Sequence, residues 1–371
     1  MSDQRRVVAA LAEQAGRGDV VLASVVRVVG AAYRGVGARM LVRADGTTVG
    51  MVSAGCLEAD LVAHAAHVRA TGAPALVTYN NDAGEDVVWG LGLGCDGTVE
   101  VLLEPLAPTR AAALAALLDR ALAGDAPAPL ATVVRIPDVD SSGAAPAVGA
   151  RVLVTPAGPR CDGDWGDGTT LARVLAALPD APATLDIGGV QVAVERVAPP
   201  VRLVVCGSGP DAAPVVRLAA GLGWDVTVIA PHATSAGRGD RFPGARMAAC
   251  ADPDQLADAV PIAARTAAVV MSHDYARDRA YLGALLDAEA GYVGVMGPRR
   301  RTERMLADLA SVGRTWPDAR LASLFAPVGL DVGGDGPEAI ALAIVAEVSA
   351  AASGRGGGHL RTRRAPIHAD V

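Results

Sequence analysis

The stretch Val204-Val205-Cys206-Gly207-Ser208-Gly209-Pro210-Asp211-Ala212 decides the fold of the C-terminal half of this chain. It passes from a β-branched apolar segment through a G-x-G-x-x-A turn into a helix-forming segment. Glycines at such a turn let the backbone bend tightly and leave the N-terminus of the following helix open to a phosphate. The stretch therefore predicts a Rossmann-like strand-turn-helix.

Further apolar segments alternate with helical patterns on the C-terminal side of that turn. Their alternation predicts a doubly wound parallel sheet over residues 201–352. Residues 353–371, which are rich in Gly and Arg, predict a disordered tail. The strand-like segments are 201–206, 225–230, 266–272, 292–297 and 324–328, and a helix is expected over 337–351.

An internal repeat marks the N-terminal half. Residues 23–46 resemble residues 131–158, since each has a β-branched run, a Gly-rich turn, Gly-Ala-Arg and a second apolar run. Residues 99–105 likewise resemble residues 192–199. These matches predict an α+β region built by a degenerate internal duplication.

The repeat suggests boundaries within the N-terminal half. The first unit is expected at 1–108, and a linker helix with the degenerate second copy at 109–200. The first copy alone carries two cysteine segments, Ser53-Ala54-Gly55-Cys56-Leu57-Glu58 and Gly92-Leu93-Gly94-Cys95-Asp96-Gly97. Specialised chemistry is therefore expected in the first copy, with simple drift of the second as the competing explanation.

The composition excludes several classes of function. The 371 residues contain 33 basic side chains, all of them Arg, and 40 acidic ones, which gives a net charge of −7. Without Lys, a P-loop and Schiff-base chemistry are excluded, and net acidity argues against nucleic-acid binding. Five Cys without a C-x-x-C pair indicate reduced thiols and a cytoplasmic protein, and no apolar run is long enough to predict a membrane span.

Cys56 is the first candidate for chemistry. It opens a helix whose apolar stripe is Leu57, Leu61, Ala65 and Val68, and it falls off that stripe. A thiol at a helix N-terminus is favoured as thiolate, which can act as a nucleophile, a sulfur carrier or a soft-metal ligand. A buried structural cysteine is the alternative.

Two glycine-rich or basic segments could hold an anion. Cys95 lies among Gly92, Gly94 and Gly97, where backbone N–H groups can approach a ligand, although a tight turn would need the same glycines. The run Gly297-Pro298-Arg299-Arg300-Arg301 begins a helix and suits phosphate, with a solvated charged face as the alternative. His273, in Ser272-His273-Asp274, is expected on the same rim of the sheet.

A bound dinucleotide is not expected. The second strand of a dinucleotide fold usually ends on an acidic residue that holds the ribose hydroxyls, and here Ala230-Pro231-His232 occupies that place. Phosphate binding at the G-x-G-x-x-A turn remains open, and NAD(P) as a redox partner is not expected.

Together these motifs resemble the XdhC/CoxI family, accessory factors of xanthine dehydrogenase that act as molybdenum cofactor chaperones. The resemblance extends to about residue 352, and Ala54 and Asp96 stand where the family pattern has Gly. The motifs that carry it are Gly37-Ala38-Arg39-Met40, the two cysteine segments, Gly207-Ser208-Gly209, Ser272-His273-Asp274, Tyr292-Val293-Gly294-Val295-Met296-Gly297 with its Arg run, and Ala326-Pro327-Val328-Gly329-Leu330-Asp331-Val332-Gly333.

The resemblance implies a chaperone that binds molybdopterin-type molybdenum cofactor during sulfuration by a cysteine desulfurase. It then implies insertion into an apo molybdenum hydroxylase of the xanthine dehydrogenase or CO dehydrogenase type, with a homodimer left open. Cys56 and Cys95 would contact molybdenum or its terminal sulfur. The cofactor-binding residues it implies are Ser53, Gly55, Cys56, Glu58, Gly94, Cys95, Gly207, Gly209, His273, Arg299 and Arg300.

Two other functions compete with this one. An NAD(P)-dependent oxidoreductase would use the G-x-G-x-x-A turn, and a scaffold would only dock other proteins. No residue is assigned to catalysis, and an accessory role is favoured over an enzyme.

Overall fold

A computed structural model describes residues 2–14, 18–30, 32–80, 97–137, 145–232 and 241–364. The chain divides into two compact units, mainly Asp3–Pro199 and Pro200–Ile367, which we call the N-terminal unit and the C-terminal unit. Each unit has its own buried clusters of Val, Leu and Ala, as a chain with 3% aromatic residues requires.

The N-terminal unit contains two antiparallel sheets with the same strand order, β3-β2-β1-β5-β4 and β8-β7-β6-β10-β9. Its elements are α1 (Asp3–Glu13), β1 (Val20–Gly30), β2 (Arg39–Val42), β3 (Thr48–Gly50), α2 (Glu58–Thr71), β4 (Ala75–Asn80), β5 (Gly97–Leu106), α3 (Pro108–Leu122), β6 (Ala128–Arg135), β7 (Arg151–Thr155), β8 (Gly158–Asp162), α4 (Thr169–Ala177), β9 (Ala183–Ile187) and β10 (Val190–Val197).

The equal strand orders confirm the predicted duplication. Leu102 on β5 lies opposite Ser24 on β1, as Ala193 on β10 lies opposite Thr132 on β6. This register makes residues 101–106 equivalent to residues 192–197. The predicted match of 99–105 with 192–199 therefore identified the correct pair of strands, but its residue-by-residue alignment was shifted. Glu104 therefore corresponds to Glu195.

The two sheets share part of their core. Val26 and Leu102 of the first copy pack with Val134 and Ala193 of the second. On another side, apolar residues of α1 and α3 cover strands of both sheets in one cluster. Because each sheet buries residues against the other, the two copies form one packed unit.

The C-terminal unit is a six-stranded parallel sheet in the order β13-β12-β11-β14-β15-β16, which is the Rossmann order 3-2-1-4-5-6. This confirms the predicted fold class. Its elements are β11 (Arg202–Cys206), α5 (Ala212–Gly221), β12 (Asp225–Ala230), β13 (Ala245–Ala249), α6 (Leu256–Ala259), β14 (Thr266–Val270), α7 (Tyr275–Asp287), β15 (Tyr292–Val295), α8 (Arg299–Ser311), α9 (Asp318–Leu321), β16 (Leu324–Phe325) and α10 (Pro337–Ala352).

Strand β13 was not predicted, because its sequence Ala-Arg-Met-Ala-Ala has no β-branched residue and lies at the sheet edge. The strands predicted at 266–272 and 292–297 end two residues earlier, since both run into the turns that lead to α7 and α8. Of the expected tail at 353–371, residues 353–364 are described and include one 3-10 turn at Leu360–Thr362, while 365–371 lie outside the described residues.

Candidate functional site

The first candidate site is the Cys56 loop, residues 52–57, which connects β3 to α2. Helix α2 begins at Glu58, two residues after Cys56, and the Cys56 thiol is exposed. The predicted apolar stripe from Leu57 to Val68 is buried, so Cys56 does lie off that stripe. An exposed thiol excludes the alternative of a buried structural cysteine.

Glu58 and Ser53 hold this loop in shape. The Glu58 carboxylate accepts hydrogen bonds from Ser53 N at 2.8 Å, from Val52 N at 3.2 Å and from the Ser53 hydroxyl. Ser53 Oγ in turn accepts from Gly55 N at 3.2 Å and from Leu57 N at 3.1 Å. Partial burial raises the pKa of Glu58, but the hydrogen bonds from Ser53 and Val52 outweigh it, so this pKa lies below its ordinary value.

Gly55 supplies the conformation that turns the loop toward α2. Its φ is +109°, a region that L side chains rarely adopt, yet a Cβ there would meet no atom within 4 Å. The glycine is therefore needed for its backbone and leaves open space beside Cys56. Gly94 and Cys95, the other predicted contacts in this unit, lie outside the described residues.

The second candidate site is the strand-end rim, which we define as the carboxyl ends of β11, β14 and β15. Gly207 follows β11 with a φ of +146°, and a Cβ there would lie 2.6 Å from the carbonyl oxygen of Met271. A Cβ at Gly209 would lie 2.5 Å from Asp211 Oδ1. Close backbone contact therefore requires glycine at Gly207, whereas a side chain at Gly209 would displace the Asp211 carboxylate. The turn lies directly against the end of β14.

His273 lies on this rim, as predicted, and it has an unexpected partner. Its Nε2 is 2.7 Å from Asp211 Oδ2, and its φ of 63° is in the left-handed region. The His273 side chain is exposed. Strained exposed residues of this kind cluster at ligand sites. The sequence motifs did not point to Asp211, although the adjacency of β11 and β14 would have placed the two residues near each other.

The Arg run at the start of α8 divides into two roles. Arg299 and Arg300 are exposed, and neither forms an ion pair with any residue that the structure describes. Arg301 instead pairs with the buried Asp278 at 2.8 Å. Asp278 also accepts from Ser272 N at 3.0 Å and from Ser272 Oγ at 2.6 Å. The sequence did not reveal that Asp278 ties α7, α8 and the end of β14 together.

The end of β12 is the place where a dinucleotide fold binds ribose. β12 ends at Ala230, which is buried, and Pro231 and His232 follow. The described residues thus place no carboxylate at the end of this strand, where a dinucleotide fold binds ribose. Residues 233–240 lie outside the described part.

The remaining described cysteines differ in access. Cys206 is fully buried at the end of β11, and burial raises the pKa of its thiol. Cys250 is also buried, and its Sγ lies 3.0 Å from the carbonyl oxygen of Asp252. Cys161 is exposed on β8, and partial burial raises the pKa of its thiol.

The described residues lack two further features. They contain no group of three or more His, Cys, Asp or Glu side chains placed to hold a metal ion. Their helices include none with the length and apolar character that a bilayer crossing demands.

Comparison with known proteins identifies the family. The model of the XdhC and CoxI family matches residues 13–80, and the model of the XdhC Rossmann domain matches residues 203–348. The chain belongs to the XdhC and CoxI family. Both candidate sites fall within the matched segments, the Cys56 loop in the first and the strand-end rim in the second.

Relatives of this XdhC-type chain extend over nearly its whole length. It is 29% identical over 337 residues to a probable xanthine dehydrogenase subunit of Bacillus subtilis, covering 89% of this chain and 92% of that protein. It is 27% identical over 354 residues to the molybdenum cofactor insertion chaperone PaoD of Escherichia coli, covering 94% and 89%. A crystal structure named as a xanthine dehydrogenase from Bacillus halodurans superposes with a TM-score of 0.73 at 28% identity, covering 98% of this chain and 97% of that one.

Proposed function

We propose that this chain is an accessory chaperone that binds molybdenum cofactor and inserts it into a molybdenum hydroxylase of the xanthine dehydrogenase or CO dehydrogenase type. The observation that carries the proposal is the exposed Cys56 thiol on a loop held by Ser53 and Glu58. Membership of the XdhC and CoxI family supports it, as do the names of two relatives, a molybdenum cofactor insertion chaperone and a xanthine dehydrogenase subunit.

The Cys56 loop suits a transient bond to the cargo. A thiolate is a soft ligand that binds molybdenum or its terminal sulfur, and a single protein thiolate leaves the other coordination positions with the cofactor. Gly55 leaves open space beside the thiol, and the carboxylate of Glu58 is occupied by backbone and hydroxyl donors. The loop therefore presents a single thiol in a fixed loop conformation. One protein ligand suits a cofactor that is bound temporarily and then transferred.

The strand-end rim suits a phosphate group. Arg299 and Arg300 are exposed at the first turn of α8, where guanidinium groups and the helix dipole both favour an anion. His273 adds a polar ring held by Asp211 on the same rim. In our proposal these residues bind a phosphate group, with Gly207 and Gly209 keeping the turn beside them compact.

The finer course of events belongs to the same proposal. The cofactor stays bound in the cytoplasm while a cysteine desulfurase supplies its terminal sulfur, and it then passes to the apo hydroxylase. Cys95, which follows the family pattern, is the second thiol that we assign to the cargo.

Metal analysis tests the proposal. The full chain is purified from a host that makes molybdenum cofactor, and bound molybdenum and pterin are quantified for the wild type, Cys56→Ala and Cys161→Ala. We expect Cys56→Ala to lose most of the molybdenum, while Cys161→Ala, which removes the other exposed thiol of the described N-terminal unit, keeps it. Equal molybdenum in both variants would remove Cys56 from the site, and a wild type without molybdenum or pterin would refute cargo binding.

The G-x-G-x-x-A turn supports one alternative, an NAD(P)-dependent oxidoreductase. Calorimetric titration with millimolar NAD(H) and NADP(H) tests it. Saturable heat would favour the oxidoreductase, whereas the absence of heat agrees with a β12 that ends at Ala230.

A further inference from the structure

The duplicated N-terminal unit is asymmetric at one pair of equivalent positions. Arg27 near the end of β1 lies opposite Glu100 on β5, and its Nη1 is 2.9 Å from Glu100 Oε1. The same step in the second copy places Arg135, the last residue of β6, opposite Gln191 on β10. The second copy thus has the same cation opposite a neutral amide instead of a carboxylate.

Arg135 has no compensating charge in the described part of the chain. It is exposed, and no described carboxylate lies within ion-pair distance of it. Arg27, by contrast, is neutralised locally by Glu100. A guanidinium that no described carboxylate neutralises can donate its N–H groups to a ligand.

Both arginines line one cleft between the two copies. The cavity has a volume of about 530 Å³ and is lined by residues of β1, β5, β6, β9 and β10, including Gln191 and the hydroxyl residue Thr184. That volume is within the range of small-molecule sites, roughly 300–1,000 Å³. With Arg27 and Glu100 cancelling each other, the net charge of the lining comes from Arg135.

We propose that this cleft binds the phosphate group of a small phosphorylated molecule. Arg135 would bind two phosphate oxygens side by side, since its planar guanidinium matches that geometry, and the Gln191 amide and Thr184 hydroxyl add uncharged donors. Glu100, which also lines the cleft, would accept from an N–H or O–H of the ligand. The site goes beyond the proposed function, because it involves neither Cys56 nor the Arg residues of α8.

The test titrates pyrophosphate into the full chain by calorimetry. All proteins carry Arg299→Gln and Arg300→Gln, so that the strand-end rim does not contribute to the heat. In this background we expect one saturable site. Arg135→Gln should weaken it at least about tenfold, which is the effect of losing one charge-assisted hydrogen-bonded pair.

Two further substitutions test the asymmetry itself. Gln191→Glu restores the carboxylate of the first copy and should weaken pyrophosphate binding at least about tenfold, while Glu100→Gln frees Arg27 and should strengthen it severalfold. Arg160→Gln, an exposed arginine of β8 outside the cleft, should change nothing. Thermal unfolding of each variant verifies that it is folded.

Either of two results would overturn phosphate binding in the cleft. One is the absence of saturable heat in the background protein, and the other is equal affinity in the Arg135→Gln and Arg160→Gln variants. Acetate in place of pyrophosphate should give no saturable heat. Equal affinity for acetate would show that the cleft binds carboxylates and is not specific for phosphate. None of these results bears on the molybdenum content of Cys56→Ala, so the two proposals fail independently.

Discussion

Arg39 on β2 forms a buried ion pair with Glu195 on β10 of the other sheet. The duplication repeats this contact in reverse, since Arg151 on β7 pairs with Glu104 on β5. Arg39 Nη1 also donates to the carbonyl of Gly37 at 2.9 Å, and Arg151 does the same to its own preceding glycine. The repeated Gly-Ala-Arg sequence therefore marks a reciprocal interface between the copies.

Removing one member of such a pair should be costly. Glu195→Gln leaves Arg39, whose side chain is 5% exposed, without its counter-charge, so we expect the free energy of unfolding to fall by about 3 kcal/mol. Glu338→Gln is the control, because Glu338 pairs with Arg217 at the surface at 3.5 Å and should contribute under about 1 kcal/mol. Urea unfolding measures both, and equal losses would show that burial adds nothing to the Arg39–Glu195 pair.

Substitution of Gly149 by alanine should destabilise the protein far more than the same substitution at Gly46. Both have positive φ, +85° and +81°, so alanine strains each backbone by about 1 kcal/mol. A Cβ at Gly149 would also overlap the carboxylate of Glu104, whereas one at Gly46 would meet nothing within 4 Å. We expect Gly149→Ala to cost roughly 2 kcal/mol more than Gly46→Ala in the free energy of unfolding, and similar midpoints of thermal unfolding would contradict the close contact.

Glu58 should make the protein sensitive to acid. Its pKa is lower in the folded state, so its contribution to stability is complete above the ordinary carboxyl range and disappears as pH falls through the folded pKa. The difference in free energy of unfolding between wild type and Glu58→Gln should therefore be largest near pH 7 and shrink toward about pH 3. Urea unfolding at a series of pH values measures this difference, and a difference that stays constant with pH would contradict the lowered pKa of Glu58.

The thiols should react in order of access. In native protein at pH 8, Cys56 and Cys161 should react with Ellman's reagent, and Cys206 should react only after unfolding, because it is buried and its thiol pKa is raised. Cys56→Ser and Cys161→Ser should each remove one rapidly reacting thiol. Rapid reaction of Cys206, tracked by mass spectrometry, would contradict its placement at the end of β11.

The Rossmann half was largely predictable from sequence. Its central strands are buried on both faces and are continuous apolar runs, which are easy to recognise. β13 escaped because an edge strand of Ala, Arg and Met carries little propensity, and the sheet next to it supplies the pairing. The central strands are therefore recognisable from their own sequences, whereas the edge strand β13 forms because it pairs with β12.

The sequence indicated which segments form the candidate sites, but not which side chains bond to each other within them. The sequence placed Cys56 off an apolar stripe and His273 on the rim, because period and strand order are local properties. It missed Asp211 and Asp278, whose partners His273 and Arg301 are 62 and 23 residues away. Contacts of that separation depend on how strands are ordered and on the rotamers around them.

By itself, the sequence determined the two halves, the duplication, the exclusion of lysine chemistry and the family. Those properties follow from composition, periodicity and short motifs, which can be recognised without knowledge of the tertiary contacts. Only the tertiary structure decided that Arg39 and Arg151 exchange carboxylates between copies, that Arg301 is structural while Arg299 and Arg300 are free of described ion pairs, and that Arg135 lines a cleft without a described counter-charge. A charge acquires its role from burial and from the nearest opposite charge, and both are set by packing between segments far apart in sequence.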